Sequence, residues 1–306
     1  MSPRATVLIP THDHGPLLLH SVGTVLRQTV DDIEVFIVGD GATDPTREAA
    51  LTLEKSDDRV RFFDNPKGPN RGEILRHAAL EQATGHIVCY LCDDDLWLPD
   101  HLEAMSALLA GADFAHTLPF HISTDGSLFT YNGDLGVPYF RRYILEGSNF
   151  IPYSAGGHTL ALYQRSEGWQ TSPPGAFTDL TMWQRLLRVP GCRAVSGTRP
   201  TLLHFPTSVR TDWSLDRRIE EVERWEGMAA SPSWRDSLTT SLLDDMARAR
   251  ARVTADMDAA EKEIERLRWD LTAIQGTRTW RWRDRLLGAP LIGALLRGAA
   301  SARARR

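Results

Sequence analysis

The 306-residue chain has little cysteine: three residues, at positions 89, 92 and 192. An odd and sparse set of cysteines cannot supply the disulfide framework of a small secreted protein, so we expect a reducing compartment, the cytoplasm. Cys89 and Cys92 form a C-x-x-C pair inside a strand-like run, "HIVCYLC". A second pair of ligands is missing, which argues against a zinc or redox site, and we expect both thiols to be small buried hydrophobic groups.

Long apolar runs are missing as well. The N-terminal segment "MSPRATVLIP" contains no apolar stretch long enough for a signal peptide. The apolar stretch near the C-terminus, residues 286–296, is about half as long as a bilayer span. No G-x-G-x-x-G motif follows an early strand, which excludes the dinucleotide-binding signature of NAD-linked oxidoreductases. The net charge of -5 argues against bulk nucleic-acid binding.

The first hundred residues do contain a regular alternation of strand and helix patterns. Short apolar or β-branched segments bounded by breakers predict four strands: "ATVLIP", "IEVFIVG", "RVRFFD" and "HIVCYL". Helical patterns lie between them, at 16–28, 44–55 and 71–83. Further along, "HTLALYQR" predicts a strand and "TDLTMWQRLLR" a helix. The alternation predicts an α/β fold with a mostly parallel, Rossmann-like sheet flanked by helices.

Three polar loops follow the carboxyl ends of these strands, where sheets of this kind bind ligands. Thr11, His12 and Asp13 follow the first strand, Asp40 ends the second, and Asp93–Asp95 follow the fourth. Adjacent carboxylates about 4 Å apart repel by roughly 1 kcal/mol in water and about 4 kcal/mol near a protein surface. An ordered cluster of three therefore indicates either open solvent or a bound cation, and the convergence of three polar loops favours a binding site.

In order and spacing, these segments resemble family 2 glycosyltransferases of the GT-A fold. Four blocks between residues 5 and 205 carry the resemblance: "VLIPTHDHG", "GDGATD", "RGEILRHAALEQATGHIVCYLCDDDLW" with its DXD motif, and "FTDLTMWQRL". Gly39 replaces an aspartate of the second block, and Thr178 replaces the glutamate of the fourth. The resemblance implies inverting transfer of a sugar from a UDP- or dTDP-type donor to a hydroxyl acceptor, in cell-surface polysaccharide or glycolipid assembly.

The resemblance also implies roles on the donor side. Asp40 and Thr11 hold the base, and Arg76 is either a nucleotide ligand or structural. Asp93 binds the ribose, and either Asp94 or Asp95 binds Mn²⁺ or Mg²⁺, ions that prefer oxygen ligands. The residues expected at the nucleotide are Pro10, Thr11, Asp13, Asp40, Arg71, Arg76 and Asp93, and His204 is a further candidate ligand of the metal or a phosphate.

On the acceptor side we expect Asp179 to be the general base. Inverting transfer is a single in-line displacement, so the acceptor hydroxyl must lose its proton as it attacks. Asp179 also starts a predicted helix, where an N-cap is the alternative, and the resemblance favours the base. Two interpretations stay open for each of two further residues. His158 either lines the acceptor or phosphate site or has a structural role, and Trp97 either stacks on a sugar or fills the core.

The chain divides into a catalytic domain, a helical extension and a tail. The expected parts are the catalytic domain, 1–205, with a nucleotide-binding half, 1–117, and an acceptor half, 118–205; a linker or helical segment, 206–242; a coiled-coil helix, 243–275; and a basic amphipathic tail, 276–306. From 243 onward apolar residues recur with a strict 3-4 spacing, interrupted only by Arg250, which predicts a coiled coil and a homodimer. A single amphipathic helix folded back on the domain is the alternative.

The tail is strongly basic, with eight arginines and one acidic residue, Asp284. Its tryptophans and arginines around the apolar stretch 286–296 predict a segment in the interface of an anionic membrane, on the inner face of the cytoplasmic membrane. A floppy basic tail or a helix docked on the sheet is the alternative.

Two rival functions follow from the same sequence. A sugar-nucleotide pyrophosphorylase needs a glycine-rich loop with a lysine after its first strand, and "IPTHDHGPLLL" contains one glycine and no lysine. A non-catalytic sugar-nucleotide-binding protein or a coiled-coil scaffold is the remaining alternative to the enzyme.

Overall fold

The computed structural model describes residues 2–131, 133–229, 231 and 233–288. The chain divides into two compact units, Met1–Leu242 and Leu243–Arg306. The first unit contains a nine-stranded sheet with its helices, and the described part of the second unit is helical.

A mixed sheet forms the centre of the first unit. Its strands are β1 (Ala5–Thr11), β2 (Ile33–Asp40), β3 (Val60–Asn65), β4 (Ile87–Tyr90), β5 (Leu96–Trp97), β6 (Phe114–Ile122), β7 (Leu128–Phe129), β8 (Gly156–Thr159) and β9 (Ala194–His204). They lie in the order β3-β2-β1-β4-β8-β6-β9-β5, and β7 pairs with β6. The first four strands in this order are parallel neighbours, whereas β8 is antiparallel to both β4 and β6. The predicted α/β fold is confirmed, with the parallel pairing concentrated in its N-terminal half.

Helices cover the sheet and extend the chain beyond it. They are α1 (Leu17–Leu26), α2 (Asp44–Ser56), α3 (Glu73–Leu80), α4 (His101–Leu109), α5 (Pro138–Leu145), α6 (Leu160–Arg165), α7 (Thr178–Arg188), α8 (Leu215–Ala229), α9 (Trp234–Gln275) and α10 (Arg278–Gly288). Because β1 is covered on both faces, Ala5–Ile9 are all buried, which explains why the sequence of this run is apolar apart from Thr6 rather than alternating.

Two local predictions are corrected by the structure. The helix predicted from residue 71 begins at Glu73, because Gly72 before it adopts a left-handed φ of 70°, so Arg71 lies in the preceding turn. The strand predicted over "HTLALYQR" is wrong for most of its length, because β8 ends at Thr159 and α6 follows. The Thr159 hydroxyl caps this helix by accepting the Leu162 N–H at 3.1 Å.

The first unit extends beyond residue 205, the limit expected for the catalytic domain. Arg210 is 1% exposed and donates two hydrogen bonds of 2.7 Å to the carboxylate of Glu221 on α8. The same guanidinium donates to the carbonyl oxygen of Ile122 at the end of β6, 2.9 Å away. A buried charge is stable only when it is paired and hydrogen-bonded in this way. The segment 206–242, expected to be a linker or helical segment, contains α8 and belongs to the same compact unit as the sheet.

In the second unit, α9 continues from Leu243 and is followed by α10. The side chains described from Ala251 to Thr279 are exposed, including the apolar members of the 3-4 repeat. None of the helices in the described ranges combines the length and the apolar character that crossing a bilayer requires. Most of the apolar stretch 286–296 lies outside the described residues.

Candidate active site

The parallel strands bring the three polar loops to one edge of the sheet. Thr11 ends β1, Asp40 ends β2, and Asp93–Asp95 begin two residues after β4. We call these residues the carboxylate edge. The Thr11 hydroxyl donates to Asp93 Oδ2 at 2.6 Å, which joins the first loop to the third. The convergence predicted from the sequence is therefore present in the fold.

Asp93 has a second partner that the sequence analysis did not single out. His14 Nδ1 lies 2.6 Å from Asp93 Oδ1. Burial alone lowers the pKa of His14, but the hydrogen bond and charge of Asp93, with the charge of Asp94, raise it to about 9. The imidazolium thus offsets part of the negative charge. Of the other residues expected here, Pro10 is half-buried in β1 and Asp13 is exposed.

Asp94 is held by two residues from the segment after β9. The Thr207 hydroxyl donates to Asp94 Oδ2 at 2.8 Å, and Arg218 Nη2 of α8 donates to the same oxygen at 2.5 Å. No hydrogen bond from the described residues reaches Asp94 Oδ1. Burial and the neighbouring carboxylates raise the pKa of Asp94 to about 6, against the opposing charges of His14 and Arg218. Neither Thr207 nor Arg218 could be placed here from the sequence, since both follow the resembling blocks.

Asp95 is the most enclosed of the three carboxylates, with 0% exposure. Its oxygens accept hydrogen bonds from the Ser154 hydroxyl, from the Phe205 N–H at 2.9 Å, and from His204 Nδ1 at 2.9 and 3.0 Å. Burial by itself raises the pKa of Asp95, but the charge and hydrogen bond of His204 and the other donors bring it below the usual value. Asp95 therefore ties the β4 loop to the end of β9.

The cluster contains donor atoms that fit a divalent cation. One ligand atom each from His14, Asp93 and Asp94 lie within 4.8 Å of one another, as do one each from Cys92, Asp94 and Asp95. Burial, then the charges of Asp95 and Asp94, raise the pKa of the Cys92 thiol, which keeps it protonated. The first group fits better, because its carboxylates Asp93 and Asp94 suit Mg²⁺ and Mn²⁺, whereas both oxygens of Asp95 in the second group already accept hydrogen bonds. As an imidazolium, His14 pairs with Asp93 and is not itself a ligand. His204 lies against Asp95, outside both groups, and its role as a metal ligand stays a prediction.

Asp40 is enclosed by a loop that the sequence analysis did not anticipate. Lys67 donates to Asp40 Oδ2, and the Gly68 N–H donates to Oδ1 at 2.6 Å. A Cβ at Gly72 would lie 2.7 Å from Asp40 Cγ, so only glycine fits beside this carboxylate. Both Asp40 oxygens are therefore bonded within the chain, and a base that pairs with Asp40 would take the place of Lys67 or Gly68.

The two arginines expected at the nucleotide have different surroundings. Arg71 is exposed in the turn before α3. Arg76 is 6% exposed and lies beneath aromatic rings, 5.5 Å from the centroid of Tyr153 and 5.0 Å from that of Trp169. Its Nη2 donates to the Arg71 carbonyl oxygen at 2.8 Å. Of the two interpretations left open for Arg76, the structure favours the structural one, in which Arg76 shapes the turn that presents Arg71.

Asp179 lies in a cavity of about 440 Å³ in the C-terminal half of the first unit. It occupies the first turn of α7, and Asn149 Nδ2 donates to its Oδ2 at 3.0 Å. Burial raises the pKa of Asp179 above its usual value, although the Leu180 N–H, His204 and Asn149 partly oppose the shift. The Asp179 side chain caps no backbone group beyond the Leu180 N–H at 2.8 Å among the described residues.

The wall of this Asp179 cavity is aromatic. Tyr131 is 45% exposed, Tyr143 37% and Phe177 64%, and all three line the cavity. His204 also lines it, so one residue touches both Asp95 and the space around Asp179. Asn149, Tyr131 and Tyr143 could not be assigned from the sequence, because the stretch 118–157 offered no recognisable chemistry, and Phe177 stood in the fourth block without an expected role.

Two residues expected as acceptor candidates belong to the core instead. His158 is 0% exposed, its Nε2 is 2.6 Å from the Tyr90 hydroxyl, and its Nδ1 is 3.0 Å from the Thr159 carbonyl oxygen. Burial lowers the pKa of His158 to about 4. Trp97 is 3% exposed and donates Nε1–H to the Ser154 carbonyl oxygen at 2.9 Å. The structural alternative holds for both.

The carboxylate edge and the adjoining Asp179 cavity lie where the resemblance to glycosyltransferases predicts a donor site and an acceptor site. The family model described as Glycosyl transferase family 2 matches residues 6–166, more than half of the chain. The chain therefore belongs to glycosyl transferase family 2.

Proteins similar to this chain in sequence are named as glycosyltransferases. The chain is 32% identical over 119 residues to the GalNAc(5)-diNAcBac-PP-undecaprenol beta-1,3-glucosyltransferase of Campylobacter jejuni, covering 37% of each protein. It is 33% identical over 103 residues to the putative teichuronic acid biosynthesis glycosyltransferase TuaG of Bacillus subtilis, covering 33% of this chain and 40% of TuaG. The alignments thus span less than half the length of these relatives.

Solved structures show the same fold at low sequence identity. Residues 1–349 of S. aureus TarS align with a TM-score of 0.53 and 15% identity, covering 78% of this chain and 70% of that one. The same protein in complex with UDP aligns with a TM-score of 0.52 and 15% identity, covering 66% of this chain and 60% of that one. The predicted GT-A-like fold is confirmed.

Proposed function

We propose that this chain is an inverting glycosyltransferase that moves a sugar from a UDP- or dTDP-type donor to a hydroxyl acceptor. One observation carries the proposal: His204 bonds to Asp95 of the carboxylate edge and also lines the Asp179 cavity. A single displacement needs the leaving diphosphate and the acceptor's base on opposite sides of one sugar carbon. The two acidic sites adjoin in a way that suits this requirement.

The carboxylate edge would hold the donor. Asp93, fixed by Thr11 and His14, would meet the ribose, while Asp40 and Arg71 would meet the base. Asp94 is the better metal candidate of the two alternatives, because one of its oxygens accepts no bond from the described residues while Asp95 is fully engaged. When held there by Asp94 and Asp93, Mn²⁺ or Mg²⁺ would offset the charge that grows on the leaving diphosphate.

Asp179 would remove the proton of the acceptor hydroxyl. Its burial raises its pKa, which makes the carboxylate a stronger base than an exposed aspartate. Asn149 donates a hydrogen bond to Asp179 Oδ2 and so fixes the orientation of the carboxylate at the cavity. Thr178, which stands where the resembled motif has glutamate, is buried and supplies no second carboxylate.

The acceptor would be a glycan carried on a lipid at the membrane surface. Two observations support this class: the undecaprenol-linked and teichuronic acid names of the relatives, and the basic tail. In α10, Trp282 is 67% exposed and the Arg283 guanidinium lies 4.6 Å from the Trp280 ring centroid. Removing 276–306 should abolish cosedimentation with phosphatidylglycerol vesicles, while phosphatidylcholine vesicles serve as the uncharged control. Unchanged cosedimentation would exclude the tail as the anchor.

The second unit would form a homodimer. Seven large apolar side chains on α9 are 49% to 59% exposed, and all belong to the 3-4 repeat: Leu243, Val253, Met257, Ile264, Leu267, Leu271 and Ile274. At roughly 100 Å² each, two such rows bury about 1,400 Å², within the range of stable interfaces. Ile264→Asp should convert a dimer to a monomer in sedimentation analysis, whereas Lys262→Asp outside the row should not. A wild-type monomer at micromolar concentration contradicts this proposal.

One experiment distinguishes the enzyme from the remaining alternative, a non-catalytic sugar-nucleotide-binding protein or a scaffold. We would measure UDP release from UDP-sugars, and melting temperature with UDP, dTDP or GDP, each with and without Mn²⁺. A ligand specific to the folded state raises the melting temperature with its occupancy. Metal-dependent stabilisation by one nucleotide, with turnover, supports the enzyme. Stabilisation without turnover towards any acceptor supports the binder, and no stabilisation at all contradicts both nucleotide-based functions.

A further inference from the structure

Arg218 is the least expected residue that contacts the carboxylate edge. It comes from α8, beyond the resembling blocks, and its Nη2 lies 2.5 Å from Asp94 Oδ2. The side chains of Arg218 and Asp94 are 11% and 6% exposed, so the pair is largely withdrawn from water. Thr207 donates to the same oxygen. The carboxylate that would hold a metal through its Oδ1 therefore already carries a cation of the protein on its other oxygen.

The three carboxylates of the cluster differ in the kind of cation beside them. Asp93 and Asp95 each face a histidine, His14 and His204 respectively. Asp94 faces an arginine, whose guanidinium stays charged at any pH at which the protein is folded. A guanidinium is also the side chain that matches phosphate oxygens best, through parallel N–H donors.

The helix that carries Arg218 is fixed at two positions that follow Arg218 in the chain, Glu221 and Glu226. Upstream of the helix, Arg210 is paired with Glu221 of α8 in a buried ion pair. Towards its C-terminus, Glu226 accepts a hydrogen bond from His20 of α1 at 2.8 Å. The backbone of α8 is thus anchored to the sheet domain, while the long Arg218 side chain can change partners without moving the helix.

We propose that Arg218 competes with the metal for Asp94 and becomes a ligand of the donor diphosphate. This inference rests on the proposed function. A metal at Oδ1 and the guanidinium at Oδ2 share the charge of one carboxylate, so without a nucleotide two largely buried cations are under-compensated. A diphosphate supplies the missing negative charge and accepts the Arg218 donors. Metal and nucleotide therefore bind together more tightly than either binds alone, and Arg218 is the positioning residue that couples them.

Arg218→Gln tests the competition with two affinity measurements, which should change in opposite directions. Mn²⁺ alone, titrated by electron paramagnetic resonance of the free ion, should bind the variant at least about threefold more tightly than the wild type. UDP or dTDP, whichever stabilises the wild type, should bind the variant about tenfold more weakly in the presence of Mn²⁺. The adjacent exposed Arg217, whose guanidinium stacks on Trp213, provides the matched control Arg217→Gln, which should change neither affinity.

Each outcome has a distinct meaning. Unchanged or weaker Mn²⁺ binding by Arg218→Gln overturns the competition, and unchanged nucleotide binding overturns the phosphate contact. A wild-type protein that binds neither nucleotide overturns the proposed function instead. If Arg218→Gln does not fold, Arg218→Lys keeps the charge but loses the paired donors: the inference then requires weaker nucleotide binding with Mn²⁺ affinity close to the wild type, and equal nucleotide affinity contradicts it.

Discussion

The carboxylate edge and the Asp179 cavity are acidic sites of one domain, but their side chains are held differently. Each carboxylate of the Asp93–Asp95 cluster has a cationic partner from another loop or helix. In the cavity, Asp179 has one side-chain donor among the described residues, Asn149, and exposed aromatic rings form the wall. The difference indicates that the edge binds a highly charged ligand by exchange of ionic partners, whereas the cavity binds a less charged ligand through contact area.

The largest expected effect is a loss of turnover on substitution of Asp179, with no change in nucleotide affinity. Asp179→Asn removes the base without changing side-chain shape, so kcat should fall by about 10²- to 10⁴-fold while nucleotide affinity stays unchanged. Asp94→Asn should instead weaken the metal-dependent binding of the nucleotide. Steady-state kinetics and calorimetric titration check both variants. Loss of nucleotide binding in Asp179→Asn would contradict the division into donor and acceptor sites.

The two sites also differ in how much of them could be predicted from the sequence. The edge follows β1, β2 and β4, whose apolar runs and breakers are local signals, so its Thr11, Asp40 and Asp93–Asp95 were all anticipated. Its partners Arg218 and Thr207 were not, because contacts between residues more than a hundred positions apart leave no local pattern. His14 stood in the anticipated loop, beside the named His12 and Asp13, but nothing local indicated that its ring faces Asp93.

The cavity was less predictable because its elements are short and irregular. Asp179 was anticipated through a motif and a clear helix, α7. The wall residues come from several separate loops and from the short helix α5, which only tertiary packing brings together. The error at "HTLALYQR" has the same origin: α6 has only six residues and begins with a short apolar run, as a buried strand does, and only the Thr159 cap distinguishes it. His158 and Trp97 looked functional because burial cannot be read from residue type.

Next in size is a stability effect at the boundary between the sites. Asp95→Asn removes the charge beside His204 in a fully buried position. Breaking a buried ion pair on one side costs about 3 kcal/mol or more, so the free energy of unfolding in urea should fall by about that amount. Asp13→Asn, at an exposed carboxylate in the loop after β1, is the control and should change the free energy of unfolding little. Equal stabilities would show that His204 does not depend on Asp95.

A smaller effect should appear in the cavity wall. Phe177→Ala removes a 64% exposed ring next to the base, so the acceptor KM should rise several-fold with donor KM unchanged. Tyr139→Ala, an exposed ring outside the cavity lining, is the matched control. Initial rates at varied acceptor and donor concentrations separate the two constants. A rise in donor KM alone would assign the cavity to the donor.

The smallest effect concerns the pH dependence of Asp179, and it tests the base directly. Deprotonated Asp179 is the active form, so kcat/KM should fall as the pH drops through its pKa. The Asn149 hydrogen bond stabilises the carboxylate and lowers this pKa. Asn149→Leu should therefore raise the pKa and move the acidic limb of the profile to higher pH. Gln184→Leu removes a hydrogen bond to the Ile144 carbonyl oxygen instead and should leave the limb in place. An acidic limb that moves to lower pH in Asn149→Leu, or does not move, would mean that the group controlling the rate is not Asp179, and the cavity would then lose its catalytic role while the carboxylate edge kept its own.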